Sequence, residues 1–144
     1  MPQTITLGCK AMVEAAKRAI KEYTAAEAVE LAKRPDTVLV DVRDPRELER
    51  EGRVPGAVHC PRGMLEFWID PESPYFKPAF SEDKTFLFFC ASGMRSALAT
   101  KTAQDMGLKP VANIAGGFHA WKQAGGAIER LAAKPDANNS AAPS

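Results

Sequence analysis

The sequence predicts an α/β domain, a mainly parallel central sheet flanked by helices on both faces. Three observations predict it. Short β-branched or aromatic runs at residues 37–42, 85–89 and 111–115 alternate with stretches that carry helix caps. Glycine or proline punctuates the junctions between them. A chain of 144 residues is long enough to bury one core and fits one domain.

The elements follow in order. Residues 9–20 have the spacing of a short amphipathic helix with Met12, Ala15, Ala16 and Ile20 as its apolar side. Thr24-Ala25-Ala26-Glu27 matches a capping box, in which a Thr hydroxyl and a Glu carboxylate satisfy each other's backbone N–H groups, so a helix runs over 25–32 and Pro35 stops it. Residues 37–42 form a buried strand. Asp44-Pro45-Arg46-Glu47 starts a second helix, with Asp as cap, Pro at the first position and Glu at the third, ending near Gly52. Val54-Pro55-Gly56-Ala57 turns the chain into a short strand at 57–60, which Pro61 closes, and residues 64–69 are helical. Residues 70–84 carry three prolines and little periodicity, the mark of a surface loop. A strand at 85–89, a helix at 95–106 ended by Gly107, a strand at 111–115 and a short helix from Gly116-Gly117 through Trp121 complete the series. The predicted organisation is an N-terminal helical extension at 1–19, a domain at 20–130 and a small, polar, disordered tail at 131–144.

Bulk properties narrow the function. Net charge is +1, with no basic stripe, which argues against a nucleic-acid partner. No run approaches the ~20 apolar residues of a spanning helix, and the first residues lack the pattern of a secretory signal. Three widely spaced cysteines are not a disulfide framework and suit a reducing compartment. The expected location is cytoplasmic.

Residues 86–96, FLFFCASGMRS, carry the chemistry. An apolar strand delivers Cys90 to a glycine-containing loop at a helix start, where unpaired N–H groups and the helix dipole favour an anion. Such a setting lowers a thiol pKa from about 8.5 toward roughly 3.5–7.5 and yields a thiolate at neutral pH. Cys90 is therefore the candidate nucleophile. The backbone of Ala91, Ser92, Gly93, Met94, Arg95 and Ser96 forms the candidate anion cradle, with Arg95 as the anion-binding side chain and the Ser92 and Ser96 hydroxyls as further donors. Gly93 permits positive φ and close approach of backbone to ligand. In a parallel sheet, ligands bind beyond the carboxyl ends of the strands, where Cys90, Asp41, Arg43 and Gly116-Gly117 all fall.

Several separated motifs resemble those of one family. Asp41-Val42-Arg43 with Glu47, then Val54-Pro55-Gly56-Ala57, is similar to the N-terminal motif of single-domain rhodaneses, members of the rhodanese-like sulfurtransferase family. Residues 90–96 resemble its active-site loop, and Gly116-Gly117-Phe118 with Trp121 its C-terminal motif, over roughly residues 20–128. The chain departs from the pattern at Arg53, where histidine is common, at Cys60, where an aliphatic residue is usual, and in a long 64–80 loop. The resemblance implies sulfur transfer: a sulfane sulfur moves from a small anionic donor such as thiosulfate to Cys90, giving a persulfide, and on to a thiophilic acceptor such as cyanide or a thiol. Sulfite leaves as a stable anion, so neither a general acid nor a cofactor is required.

Other readings stand beside this one. A cysteine phosphatase or arsenate reductase also holds a thiolate in a helix-terminal loop, but those loops resemble C-x5-R, whereas Cys90 and Arg95 form C-x4-R, a cradle sized for sulfur. A persulfide carrier or protein-interaction module would use the same cysteine to relay sulfur to or from a protein. Asp41, Arg43 and Glu47 read as a structural ion-pair and capping cluster, and Trp121 as core. Cys9, His59, Cys60 and His119 match no metal-ligand spacing, so no metal is expected. Cys60 reads as a buried strand cysteine before a resolving thiol. Phe67, Trp68, Tyr75 and Phe76 either wall the site, offer an acceptor-protein surface or cover the core.

Overall fold

A computed structural model of the chain describes residues 2–130; the tail expected at 131–144 lies outside the described residues. Five strands, β1 (Lys21–Tyr23), β2 (Thr37–Asp41), β3 (Val58–His59), β4 (Thr85–Phe89) and β5 (Val111–Ile114), form one sheet in the order β1-β5-β4-β2-β3. Every pairing is parallel. Six α-helices surround it among the described residues: α1 (Cys9–Ala19), α2 (Ala25–Leu31), α3 (Pro45–Glu51), α4 (Leu65–Ile69), α5 (Met94–Met106) and α6 (Gly117–Gln123). None is long and apolar enough to cross a membrane.

Strand alternation divides the core in two. Phe86, Phe88 and Cys90 project to the same side as Val40, Val42 and Val111, and pack with Leu65 and Ile69 of α4 and Ala99 and Ala103 of α5. Leu87 and Phe89 project to the other side with Leu39, Ala112 and Ile114, against Ala25 and Ala28 of α2 and Phe118 and Trp121 of α6. A strand buried on both faces must be apolar at every position, and this is why Thr85–Phe89 shows no polar alternation. With β5 on one side and β2 on the other, β4 is the central strand, and its carboxyl end delivers Cys90.

Both capping boxes form. Thr24 Oγ1 accepts from Glu27 N (3.1 Å) while Thr24 N donates to Glu27 Oε1 (2.8 Å). Asp44 and Glu47 repeat the exchange at the head of α3. The predicted helix at residues 9–20 is present, but its inward side differs. Val13 and Ala16 are buried against Ala97 of α5, with Ile20 alongside, whereas Met12 and Ala15 are exposed. Positions 13, 16 and 20 are spaced for one helix face, and that face is the one α5 covers. Gln104 Nε2 donates to Ala19 O (2.9 Å) and fastens the end of α1 to α5. The N-terminal helix thus packs on this same domain. Helix α5, covered by the sheet on one side and α1 on another, is correspondingly built from small residues, with Ser96, Ala97, Ala99, Thr100 and Ala103 all buried.

Two features depart from the sequence expectation. Lys21–Tyr23 is a strand, paired with Ala112, Asn113 and Ile114 of β5. Short, charged and at the sheet edge, it carries none of the β-branched run that marks an interior strand. The stretch at 70–84 is more than a surface loop. It contains a 3-10 turn at Pro78–Ser81 whose Phe80 is buried and stacked on Phe86, with ring centroids 5.7 Å apart. Trp68 packs partly against the same core, while Phe67 and Tyr75 meet edge to face in solvent.

Phe80→Ala should therefore lower stability by about 3 kcal/mol, as emptying a buried phenylalanine site does, whereas Tyr75→Ala should change it by under about 0.5 kcal/mol. Urea unfolding monitored by tryptophan fluorescence checks both.

Candidate active site

The site is built by two helix starts meeting one strand end. After β4 the chain turns at Gly93, whose φ of 102° lies in the left-handed region, and enters α5 at Met94. Gly93 N donates to Cys90 Sγ at 3.1 Å, and Ser96 Oγ lies 3.4 Å from the same sulfur. On the other side of the loop, Phe118 N of α6 donates to Cys90 O (2.7 Å) and His119 N to Ala91 O (3.1 Å). The carbonyls of the loop's first two residues are thus turned toward α6, leaving the N–H groups that follow directed at the sulfur.

Glycine is required where α6 meets the loop. A β-carbon on Gly117, at φ 59°, would lie 2.4 Å from Cys90 O and 2.8 Å from Ala91 C, both backbone atoms that cannot step aside. A β-carbon on Gly93 would stand 3.3 Å from Gly116 N. The paired glycines of the sequence therefore let backbone meet backbone beside Cys90.

Cys90 is 1% exposed. Burial pushes its pKa up, but hydrogen bonds from the Ser96 hydroxyl and the N–H groups of Ser96, Gly93 and Ser92 outweigh it, so the thiol sits below its ordinary value. Cys60 shows the opposite outcome. Also buried, and without such donors, it is pushed up to about 12 by desolvation. His59 and Phe89 both register with Asp41, on opposite sides of β2. The cysteines that follow are thus two strand spacings apart, roughly 10 Å and beyond the ~7 Å Cα limit for a disulfide. Cys60 is a packing residue.

Arg95 does not stand free as an anion clamp. Its guanidinium makes a two-pronged pair with Glu47, Nη1 to Oε1 at 2.7 Å and Nη2 to Oε2 at 3.0 Å. Hydrogen bonding to Arg95 outweighs burial and pulls Glu47 down to about 2, with the Asp44 N–H and the Arg95 and Arg43 charges helping. The same hydrogen bonds raise Arg95 against some desolvation, and the Cys90 sulfur adds a smaller push in the same direction. Arg95 is therefore shared between a fixed carboxylate and the Cys90 sulfur. Glu47, read from sequence as part of a cluster with Asp41 and Arg43, caps α3 and joins the loop at once.

The rest of that cluster is a buried ion pair. Arg43 is fully buried, donating through Nη2 to Asp41 Oδ2 (2.8 Å) and Gly52 O (3.0 Å), with its guanidinium carbon 4.1 Å from the Phe118 ring centroid. Asp41 Oδ1 also accepts from Arg43 N at 3.0 Å. Removing either partner would strand a buried charge. Of the loop side chains, Ser96 is buried beside the sulfur, whereas Ser92 and Met94 are exposed; Ser92 contributes its N–H. Cys9 is exposed on α1, His119 is exposed on α6, and His59 Nε2 lies 2.7 Å from Arg43 O. No three metal-ligating side chains converge among the described residues.

Sequence reasoning missed Asn113 and Glu22. Asn113 is buried in β5 and bonds to Ser96, Gly93 and Glu22. A polar residue inside a run that must be buried on both faces is the signal that could have found it.

Comparison with known proteins shows the family. A family model described as the rhodanese-like domain matches residues 24–124. YtwF of Bacillus subtilis, assigned as a sulfurtransferase, is 36% identical over 104 residues, covering 72% of this chain and 91% of its own. Human thiosulfate:glutathione sulfurtransferase is 35% identical over 89 residues, covering 58% of this chain and 76% of its own. A solved structure from Rhodopseudomonas palustris, a protein of unknown function described as a possible tyrosine phosphatase, superposes with a TM-score of 0.87 at 64% identity and covers 90% of this chain and 99% of its own.

The loop contact yields a direct expectation. Gly117→Ala and Gly107→Ala both place a side chain at positive φ, but only at position 117 does the new carbon meet backbone, since nothing lies within 4 Å at Gly107. Gly117→Ala should slow iodoacetamide alkylation of Cys90 at pH 7 by up to about tenfold, the limit for a thiol pKa raised by a unit, while Gly107→Ala leaves that rate unchanged.

Proposed function

The chain belongs to the rhodanese-like domain family, and from that premise we propose that it moves a sulfane sulfur from thiosulfate through a persulfide on Cys90 to a thiophilic acceptor. The observation that carries the reading is the stabilised Cys90 sulfur: a buried thiol held below its ordinary pKa by loop N–H groups and a hydroxyl.

In the first half-reaction, the Cys90 thiolate attacks the outer sulfur of thiosulfate. A bond forms between Cys90 Sγ and that sulfur, the bond to the sulfonate breaks, and sulfite departs with the electron pair. The product on the enzyme is a persulfide anion, so the negative charge the cradle holds moves outward by one sulfur atom. In the second half-reaction an acceptor such as cyanide or a thiolate attacks the outer sulfur and returns Cys90 to the thiolate. No proton is required of the leaving group, so the lack of a general acid is no obstacle. The loop's task is to hold an anion on sulfur throughout, which preorganised N–H groups do without rearranging.

The Arg95–Glu47 pair favours sulfur transfer over phosphate-ester hydrolysis. An arginine that draws in a phosphate dianion does so with its full charge, and here Glu47 compensates that charge through an Nη1 and Nη2 fork. The C-x4-R spacing supports the same choice. The description attached to the Rhodopseudomonas protein favours the other, and a direct comparison of substrates separates them. A relay role, with a protein as donor or acceptor, uses the same chemistry at Cys90.

The wild-type protein should form thiocyanate from thiosulfate and cyanide and leave aryl phosphates intact, and Cys90→Ser should abolish the transfer with an unchanged circular-dichroism spectrum. Efficient aryl-phosphate hydrolysis without thiocyanate would overturn the proposal. Glu47→Gln should retain the α3 cap through its amide oxygen yet leave the Arg95 charge uncompensated. A charge change of this kind beside the site is worth on the order of 1 kcal/mol after screening, so the KM for thiosulfate should fall about fivefold, with little change for a neutral donor.

A further inference from the structure

Behind the nucleophile a hydrogen-bonded chain runs across three elements to the far edge of the sheet. Asn113 of β5 is fully buried, and its parity with Val111 turns it toward α5. Its Nδ2 donates to Glu22 Oε2 of β1 (2.8 Å) and to Gly93 O (3.2 Å). A carboxylate and a carbonyl only accept, so these two partners fix which end of the amide is the nitrogen. Asn113 Oδ1 must then face Ser96 Oγ, 2.6 Å away.

An amide oxygen only accepts too, so at that distance the donor is the Ser96 hydroxyl. Ser96 has one hydroxyl proton and two claimants, Asn113 Oδ1 at 2.6 Å and Cys90 Sγ at 3.4 Å. While the proton points at Asn113, Ser96 turns a lone pair to the sulfur, an arrangement that suits a neutral S–H. A thiolate needs the reverse, with the hydroxyl rotated to donate to sulfur and Asn113 Oδ1 left without its donor. The two states of the sulfur thus call for two positions of one proton.

We propose that Asn113, held in orientation by Glu22, is a positioning residue that competes with Cys90 for the Ser96 hydroxyl proton and so sets how readily the sulfur ionises. The proposal rests on the reading of Cys90 as the nucleophile. Among the described residues, the other charges near the sulfur belong to ion pairs or lie in solvent, and Arg95 alone of them also acts on the sulfur. Arg95 of α5 is paired with Glu47 of α3, and Asp41 of β2 with Arg43; α6 contributes N–H groups to the loop carbonyls while the His119 side chain is exposed. Glu22 is the carboxylate that reaches the thiol through a hydrogen-bonded relay, and its effect is exerted by orientation rather than by direct contact. The edge strand β1 thereby gains a role in the chemistry that its three residues do not advertise.

The test is a mutant cycle on the full chain, read as the pH dependence of iodoacetamide alkylation at Cys90, with the Cys90 peptide resolved from that of exposed Cys9 by mass spectrometry. Asn113→Ala frees the Ser96 proton and should lower the Cys90 midpoint by about half a pH unit or more, a threefold change in the thiolate-to-thiol ratio. Ser96→Ala should raise it. In the Ser96→Ala background Asn113→Ala should have no effect. Glu22→Ala, at a partly exposed edge position, should lower the midpoint less than Asn113→Ala and also lose its effect without Ser96; it carries the cycle if Asn113→Ala does not fold. An unmoved midpoint in the single variants, or an equal shift with and without Ser96, would overturn the proposal. Alkylation needs no sulfur donor, so failure here and failure to form thiocyanate are separate results.

Discussion

Two backbone hydrogen bonds, from Phe118 N to Cys90 O and from His119 N to Ala91 O, anchor the functional end of this molecule. They satisfy N–H groups that the first turn of α6 would otherwise leave open, and turn two loop carbonyls away from the sulfur. The N–H groups of the next residues are free to gather around Cys90 only because of that. The bonds demand a backbone approach that only Gly117 allows, since a β-carbon there would lie 2.4 Å from the Cys90 carbonyl oxygen. They also demand that α6 be held still, which Phe118 and Trp121 achieve by burying themselves beside Phe89 and Leu87. The hydrophobic core on one face of the sheet thus fixes the electrostatics at its carboxyl edge.

The other face supplies the second half of the cradle. Helix α5 sits close enough to the sheet for Ser96 to touch both Cys90 and Asn113 because its inward positions are alanine, serine and threonine. Helix α1 then covers its outer side through Val13 and Ala16. Cys90 is consequently both a core residue and a thiol held below its ordinary pKa. Burial alone would give it the fate of Cys60, pushed up to about 12; the loop donors reverse the sign. The contrast between two buried cysteines of one chain isolates the cause, which is hydrogen bonding.

Most of this architecture was legible in the sequence because the relevant rules are local. A capping box lies within four residues, so Thr24 and Asp44 announced two helix starts correctly. Thr85–Phe89 declared an apolar strand by its composition, and Gly116-Gly117 marked a helix start at the same carboxyl edge of the sheet as Cys90. What escaped were features set by pairing between distant residues. Lys21–Tyr23 becomes a strand only because β5 offers it an edge. Phe80 is buried only because Phe86 receives it, inside a stretch that three prolines made look like loop. Arg95 looked like a free anion binder from its own neighbourhood, since its partner Glu47 lies 48 positions earlier. Asn113 and Glu22, 91 positions apart, meet only in the folded sheet.

The central claim is that Cys90, and no other cysteine of the chain, carries a sulfur atom. Intact-mass analysis of the thiosulfate-treated protein addresses it directly, followed by peptide mapping. A gain of one sulfur atom on the peptide containing Cys90, removed by cyanide and absent in Cys90→Ser, is the predicted result. No mass gain, or a cyanide-labile sulfur that maps to Cys9 or Cys60, would contradict the account.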